Sequence, residues 1–82
     1  MTKEEVFEVL KKHILDQLED EVEEEEIIIE KSMTDLGANS LDIVEIVTNT
    51  MRELKIKIPR DDLAAIDTMK GLVDAMTEAK NK

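Results

Sequence analysis

Hydrophobic residues recur at helical spacing near the start of the chain and form a single stripe. The stripe comprises Val6, Phe7, Leu10, Ile14 and Leu18. Thr2 followed by Glu5 is a capping-box pattern, and acids in the first turn suit the positive end of a helix. This pattern predicts a first helix that begins at the amino terminus and ends near Leu18. His13 lies beside the stripe, and we expect a partly exposed surface residue because the sequence offers it no evident partner.

The helical period fails after Leu18, in a segment that is almost entirely acidic. Residues 19–26 are Glu-Asp-Glu-Val-Glu-Glu-Glu-Glu, and so many like charges repel one another, which predicts a loop or a frayed helix end. Three consecutive isoleucines follow at positions 27–29. They would suit a strand, but no second strand could pair with it, so we predict an extended loop that places one or two of them in the core. Ser32, with Asp35 three residues later, is predicted to cap a short turn.

The second strong helical pattern follows Gly37, a residue that can adopt the positive φ of a tight turn. Asn39 is a good N-cap, so this helix is predicted to begin at Asn39 or Ser40. The predicted apolar stripe extends over four turns and consists of Leu41, Val44, Val47, Met51 and Leu54. Ile43 and Ile46 lie off the centre of that stripe.

The remainder of the chain predicts two further helices. Pro59 marks a new start, and residues 60–64 can form one or two turns. Asp67 or Thr68 is predicted to cap a last helix, whose apolar face consists of Met69, Leu72, Val73 and Met76. Gly71 costs this helix about 1 kcal/mol relative to alanine, which a close helix–helix approach would justify. The predicted fold class is therefore all-α, with three main helices, one short helix and one long first loop.

Composition narrows the prediction to one small, aliphatic and acidic domain. The chain has 82 residues, which indicates a single domain over residues 1–82, with one aromatic residue and no cysteine. The absence of cysteine excludes disulfides and thiol nucleophiles, and the single histidine excludes a multi-histidine metal site. The net charge of −10 repels nucleic acid and anionic lipid and favours basic partners. No apolar segment is long enough to span a membrane, and we expect a cytoplasmic monomer.

One segment, residues 35–42, combines a glycine turn, a serine and the start of a strong helix. Ser40 lies at the junction, where the turn lifts its hydroxyl clear of the bundle and the first amides of the helix lack intrahelical partners. Those amides and the helix dipole favour a phosphate attached at that hydroxyl. No histidine or lysine nearby could deprotonate Ser40, so catalysis by this chain alone is not expected. On local grounds alone, a simple capping role accounts for the serine better.

A family resemblance changes that balance. Several segments of the chain resemble the acyl carrier proteins in order and spacing. They are residues 36–42, 44–47 and 56–59, and residues 67–69 and 72–73 at the start of the last helix. The acyl carrier proteins are small four-helix phosphopantetheine carriers without catalytic activity of their own. The resemblance implies that Ser40 receives 4′-phosphopantetheine from coenzyme A, through a separate transferase that supplies the magnesium, and that acyl groups are then carried as thioesters. The family usually has Asp before this serine, and this chain has Asn39, which retains capping but lacks the charge that helps the transferase to recognise the site.

The resemblance also implies that the second helix contacts partner enzymes. We expect Asp42 and Glu45 to meet basic residues of a partner, and Leu41 and Ile43 to add an apolar contact beside them. A solvated face is the alternative interpretation of the acids, and a core position is the alternative for Ile43. The partners implied are a phosphopantetheinyl transferase and an acyltransferase or ketosynthase. Basic residues near the end of the helix suggest a narrower partner set than that of the general fatty-acid carriers.

Within the family, the chain most resembles the freestanding donor carriers of polyketide β-branching cassettes in antibiotic biosynthesis. Such a carrier delivers an acetyl group to a hydroxymethylglutaryl-synthase-like enzyme. No linker to a large synthase is visible, so we expect a protein that acts in trans. A general carrier for fatty-acid biosynthesis is the alternative within the family. Outside it, the alternatives are an acidic helical interaction domain without a prosthetic group and, less favoured because residues 19–26 lack the glycine of an EF-hand loop, a calcium-binding protein.

Overall fold

The computed structural model describes residues 1–66 and 68–81, and its regular elements are helices. The four α-helices are α1 (Lys3–Leu18), α2 (Ser40–Leu54), α3 (Arg60–Ala64) and α4 (Met69–Lys80). Three single 3₁₀ turns lie between α1 and α2, at Glu19–Glu21, Glu24–Glu26 and Thr34–Leu36. The all-α prediction, with three long helices, one short helix and a long first loop, is confirmed. Thr68 is the N-cap of α4, whereas the alternative cap, Asp67, lies outside the described residues.

The predicted capping box begins α1. Thr2 Oγ1 accepts from the Glu5 amide at 3.2 Å, and the Thr2 amide donates to Glu5 Oε1 at 2.9 Å. These reciprocal bonds satisfy amides that otherwise lack partners in the first turn. They also lower the pKa of the Glu5 carboxyl, first through the bond from the Thr2 backbone and then through the bond from its hydroxyl. The predicted stripe is confirmed, since Val6, Leu10, Ile14 and Leu18 are buried and Phe7 packs half-buried against them.

The acidic first loop exposes its glutamates at positions 19, 21 and 23–26 while it places apolar side chains in the core. Val22 and Ile27 are buried, Ile29 is half-buried and Ile28 is exposed. The prediction that one or two of the three isoleucines enter the core is therefore confirmed. The loop backbone also supports α4, because the carbonyls of Ile29 and Lys31 accept from the first amides of that helix at 2.8 and 2.9 Å. Those amides would otherwise have no intrahelical partner.

Helix α1 packs against both α2 and α4. At one end of the α1–α2 pair, Lys12 Nζ lies 2.7 and 2.8 Å from the two carboxylate oxygens of Glu53, and His13 Nε2 lies 2.9 Å from Glu53 Oε1. The expectation that His13 has no partner was wrong. Its partner is forty positions away in the sequence, and only the packing of α1 on α2 brings the two side chains together.

Specific contacts are found at the end of α2 and at the start of α4. Lys55, in the left-handed conformation at φ 57°, terminates α2, and Lys80 Nζ donates to the Leu54 carbonyl at 3.0 Å. At the start of α4, a Cβ on Gly71 would lie 3.3 Å from Cγ2 of Ile66. A close approach at Gly71 is therefore present, but its partner is the segment between α3 and α4 rather than another helix. None of the helices within the described residues is long and apolar enough to cross a membrane.

Candidate functional site

A hydrogen-bonded turn leads the chain into α2. The Ser32 amide donates to Asp35 Oδ2 at 3.1 Å and the Asp35 amide donates back to Ser32 Oγ at 3.4 Å. The predicted pairing of Ser32 with Asp35 is therefore present, although the residue at the N-cap of the 3₁₀ turn Thr34–Leu36 is Met33. Gly37 then adopts φ 94° and ψ 5°, a conformation that favours glycine. Leu36 and Ala38, on either side of it, are both buried. These anchors fix the direction in which the chain enters the helix.

Asn39, rather than Ser40, caps the helix. Asn39 Oδ1 accepts from the Asp42 amide at 2.8 Å, and the Asn39 amide donates to Asp42 Oδ2 at 3.3 Å. The predicted N-cap is thus confirmed, and Asp42 completes a capping box that the sequence analysis did not anticipate. Ser40 is the first residue of α2. The simple capping role considered for this serine is therefore wrong.

The Ser40 hydroxyl is exposed and available for chemistry. Within residues 1–66 and 68–81, no group hydrogen-bonds to it, and the amides of Ser40 and Leu41 have no acceptor. Free amides at the positive end of a helix are suited to a phosphate. The only histidine contacts Glu53, thirteen residues further along α2 and so about 20 Å away at 1.5 Å per residue. The site therefore presents an exposed hydroxyl, and the one histidine of the chain is too far along the helix to act on it.

The two predicted docking acids have different surroundings. Asp42 is half-buried, and its carboxylate accepts from its own capping box and, at Oδ1, from Gln17 Nε2 of α1 at 3.1 Å. Glu45, one turn after Leu41, is exposed and forms no ion pair with any residue that the structure describes. Of the two, Glu45 is the free surface charge, whereas Asp42 is mainly engaged within the molecule.

Two apolar side chains beside Ser40 are largely exposed. Leu41 retains 69% of its accessible surface and Val44 retains 59%. The predicted stripe is therefore not one buried face of α2, because Leu41, which was also expected to contact partners, and Val44 lie on the surface. The buried residues of the helix are instead Ile46, Val47, Thr50 and Leu54, while Ile43 and Met51 are half-buried. Thr50 is tolerated in the core because its hydroxyl donates to the Ile46 carbonyl at 2.7 Å.

Val44 is a surface residue that the sequence analysis missed, although a signal for it exists. Five of the seven residues at positions 41–47 are apolar, which is more than one face of a helix can bury. The excess must be exposed or must line a groove. Periodicity alone could not decide which residues these are, because the choice depends on where α1 and α4 lie.

An apolar groove of about 650 Å³ opens between α2 and the segment that runs from the end of α2 into α4. The groove extends close to Ser40, since Ile43 and Val44, about one turn further along the helix, line it. The remaining lining residues are Met33, Val47, Thr48, Met51, Ile58, Leu63, Ile66, Thr68, Met69 and Leu72. This volume falls in the range of ligand sites, and methionine side chains adapt readily to the shape of an apolar ligand.

Comparison with known proteins shows the family of the chain. Residues 8–76 match the family model described as a phosphopantetheine attachment site. The acyl carrier protein of Clostridium perfringens (strain SM101 / Type A) is 40% identical over 78 residues, which cover 94% of this chain and 100% of that protein. The chain belongs to the acyl carrier protein family. The acyl carrier protein of Petrotoga mobilis (strain DSM 10674 / SJ95) is 35% identical over 82 residues, covering 99% of this chain and 94% of that protein.

Membership makes this chain a carrier rather than an enzyme, with a covalently attached 4′-phosphopantetheine as its prosthetic group. The residues around the start of α2 fit such a group. The hydroxyl of Ser40 is exposed, two free amides adjoin it, and a Cβ on Gly37 would meet nothing within 4 Å, so the approach is open. When bound, the group supplies a flexible arm with a terminal thiol for thioester formation, and the partner enzymes supply the remaining chemistry.

Proposed function

We propose that Ser40 is the attachment residue and that residues 1–82 act as one carrier domain for acyl thioesters. In the loading reaction, Ser40 Oγ forms a bond to the phosphorus that bears the pantetheine of coenzyme A. The bond from that phosphorus to the adenosine bisphosphate portion breaks, and the serine proton passes to a base of the transferase. The Ser40 hydroxyl supports this assignment most directly, because it is exposed at the first position of α2 while Asn39 performs the capping.

Mass spectrometry tests this assignment, and the chain provides a matched control. Ser32 and Ser40 are its only serines, and both lie within hydrogen-bonded turns that precede or begin a helix. Incubation with coenzyme A and a broad-specificity transferase should add one phosphopantetheine mass to the wild type and to Ser32→Ala. The Ser40→Ala variant should remain unmodified. Modification of Ser40→Ala, or its loss in Ser32→Ala alone, would contradict the assignment.

The apolar surface near Ser40 suggests a division of labour in this proposal. Leu41, Val44 and Glu45 form the exposed docking surface for partner enzymes, and Asp42 adds negative charge at its edge. Ile43, which the sequence analysis assigned to the docking surface, is half-buried and lines the groove. The groove would shelter the aliphatic part of the cargo from water.

We further propose that the chain is a monomeric cytoplasmic donor that delivers acetyl groups to a hydroxymethylglutaryl-synthase-like enzyme in polyketide β-branching. Support comes from the resemblance and from the charge at the end of α2. Arg52 and Lys55 are exposed, and Glu53 between them is engaged by Lys12, so their positive charges remain available to repel strongly basic docking patches. An acyltransferase or ketosynthase would load or unload the carrier.

The competing candidate is a general carrier of fatty-acid synthesis, which is compatible with the similarity of nearly the whole chain to the acyl carrier protein of Clostridium perfringens. A competition assay separates the two. Acetyl-loaded carrier is offered to a synthase of the hydroxymethylglutaryl type and to a fatty-acid ketosynthase. The donor role predicts faster transfer to the first enzyme, and the double variant Arg52→Glu/Lys55→Glu should shift the preference towards the second. Efficient elongation by the ketosynthase with no transfer to the synthase would refute the donor role.

A further inference from the structure

One hydrogen bond connects the helix start that bears Ser40 to the neighbouring helix. Gln17 Nε2, in the last turn of α1, lies 3.1 Å from Asp42 Oδ1 in the first turn of α2. An ionised carboxylate can only accept, so the side-chain amide of Gln17 must present its NH₂ group to Asp42. The bond spans twenty-five positions of sequence and is partly buried. It is therefore better protected from water than the exposed ion pair between Lys12 and Glu53.

Asp42 transmits this contact to the residue beside Ser40. Its other carboxylate oxygen, Oδ2, accepts from the Asn39 amide at 3.3 Å, and its own amide donates to Asn39 Oδ1. Gln17, Asp42 and Asn39 thus form a continuous chain of hydrogen bonds that ends at the backbone amide and side chain of Asn39, the residue before Ser40. These hydrogen bonds fix the end of α1 relative to the start of α2, and none of the three side chains takes part in the reaction itself.

We infer that Gln17 is a positioning residue for the transfer of phosphopantetheine to Ser40, acting through Asp42. This inference rests on the proposed attachment at Ser40. Without the Gln17 donor, the Asp42 carboxylate gains rotational freedom and the first turn of α2 loses its connection to α1. The Ser40 hydroxyl then spends less time in the orientation that the transferase requires, because reacting groups must be held in a near-attack geometry. The exposed docking side chains are unchanged, so turnover should suffer more than binding.

Steady-state kinetics of a phosphopantetheinyl transferase test this role. Gln17→Ala should lower kcat by about threefold to tenfold, the factor that corresponds to one net hydrogen bond, with the KM for the carrier within about twofold of wild type. Gln17→Glu keeps the shape but replaces the donor with a charge that repels Asp42, so its kcat should fall at least as far. Gln17→Lys restores a donor to Asp42 and should recover most of the rate. Asn49→Ala, which removes a half-buried side-chain amide from α2 instead of from α1, should behave as wild type.

A second set of measurements separates positioning through Asp42 from a general loss of stability. In an Asp42→Ala background, Gln17→Ala should cause no further loss, because the pathway is already broken. Thermal unfolding must show that each variant is folded at the assay temperature. Wild-type turnover by Gln17→Ala and Gln17→Glu would overturn the inference, as would an equal loss in Asn49→Ala or an undiminished effect in the Asp42→Ala background. Failure of the proposed function looks different, because Ser40→Ala would then still be modified.

Discussion

Leu41 and Leu54 are both leucines of α2, so truncation of each to alanine removes the same atoms. A comparison of the two variants therefore separates the effect on partner binding from the effect on stability. Leu54 is 3% exposed whereas Leu41 is 69% exposed. Truncation of a buried leucine to alanine costs about 2–5 kcal/mol, and the lower part of that range applies where a site can relax, as at the last residue of α2. A domain of this size is stable by only about 4–12 kcal/mol. Leu54→Ala should therefore remove a large fraction of the free energy of unfolding, whereas Leu41→Ala should change it by less than about 0.5 kcal/mol.

The effect on partner binding should be the opposite, with the larger change in Leu41→Ala and the smaller change in Leu54→Ala. A leucine that becomes buried in a complex contributes about 1.5–3 kcal/mol, and the exposed two-thirds of Leu41 makes about 1–2 kcal/mol available to a partner. Leu41→Ala should therefore raise the KM of the transferase for the carrier by about fivefold to thirtyfold, whereas folded Leu54→Ala should leave it near the wild-type value.

Urea unfolding and transferase kinetics measure the two quantities on the same samples. Leu54→Ala should also lower Tm, by about 4–8 °C for each 1 kcal/mol lost. If Leu41→Ala lowers the free energy of unfolding by more than about 1 kcal/mol, Leu41 contributes to the core and the assignment to the surface is wrong. An unchanged KM in Leu41→Ala would remove it from the docking surface.

Three further predictions follow from the caps, one ion pair and one turn. Asn39→Ala and Thr2→Ala each remove a capping box, and each should lower the free energy of unfolding by about 1 kcal/mol, measured by thermal unfolding. Only Asn39→Ala should slow modification by the transferase. Equal kinetic effects of the two variants would contradict the local role of Asn39. The pKa of Glu53 is lowered by hydrogen bonds from Lys12 first and His13 second, so its contribution to stability is present above the unfolded pKa of about 4.3 and is lost as the pH falls through the lower folded value. The free energy of unfolding measured with urea should therefore fall more steeply below about pH 5 for the wild type than for Glu53→Gln. Parallel plots of this free energy against pH would argue against the ion pair. Gly37→Ala, at φ 94° with open space around it, should cost about 1–2 kcal/mol through backbone strain alone, and unchanged denaturant unfolding would show that the turn adapts.

The sequence predicted the helices better than it predicted which face of each is buried. Helix α1 has one dominant apolar stripe, with only Val9 and Leu15 outside it, and the residues predicted for that stripe are buried apart from the half-buried Phe7. In α2, apolar residues surround much of the first two turns, and the stripe through Leu41 and Val44 fits the helical period as well as the stripe that is buried. The groove and the contacts of His13 and Gln17 could not be predicted, because they join positions that only tertiary packing brings together.

The residues of α2 that contradict the simplest pattern are those beside the proposed attachment site. A helix selected only for stability would place polar side chains at Leu41 and Val44, because an exposed apolar side chain adds little to folding and favours association. Local sequence rules tend to fail at functional sites, where binding imposes requirements that folding does not. The capping pattern follows the same logic, since Asn39 and Asp42 satisfy the helix start and so leave the Ser40 hydroxyl without a structural task. An excess of apolar residues over one helical face, directly after a serine that the structure relieves of capping, is therefore what we expect of a helix that presents an attachment residue to partner enzymes.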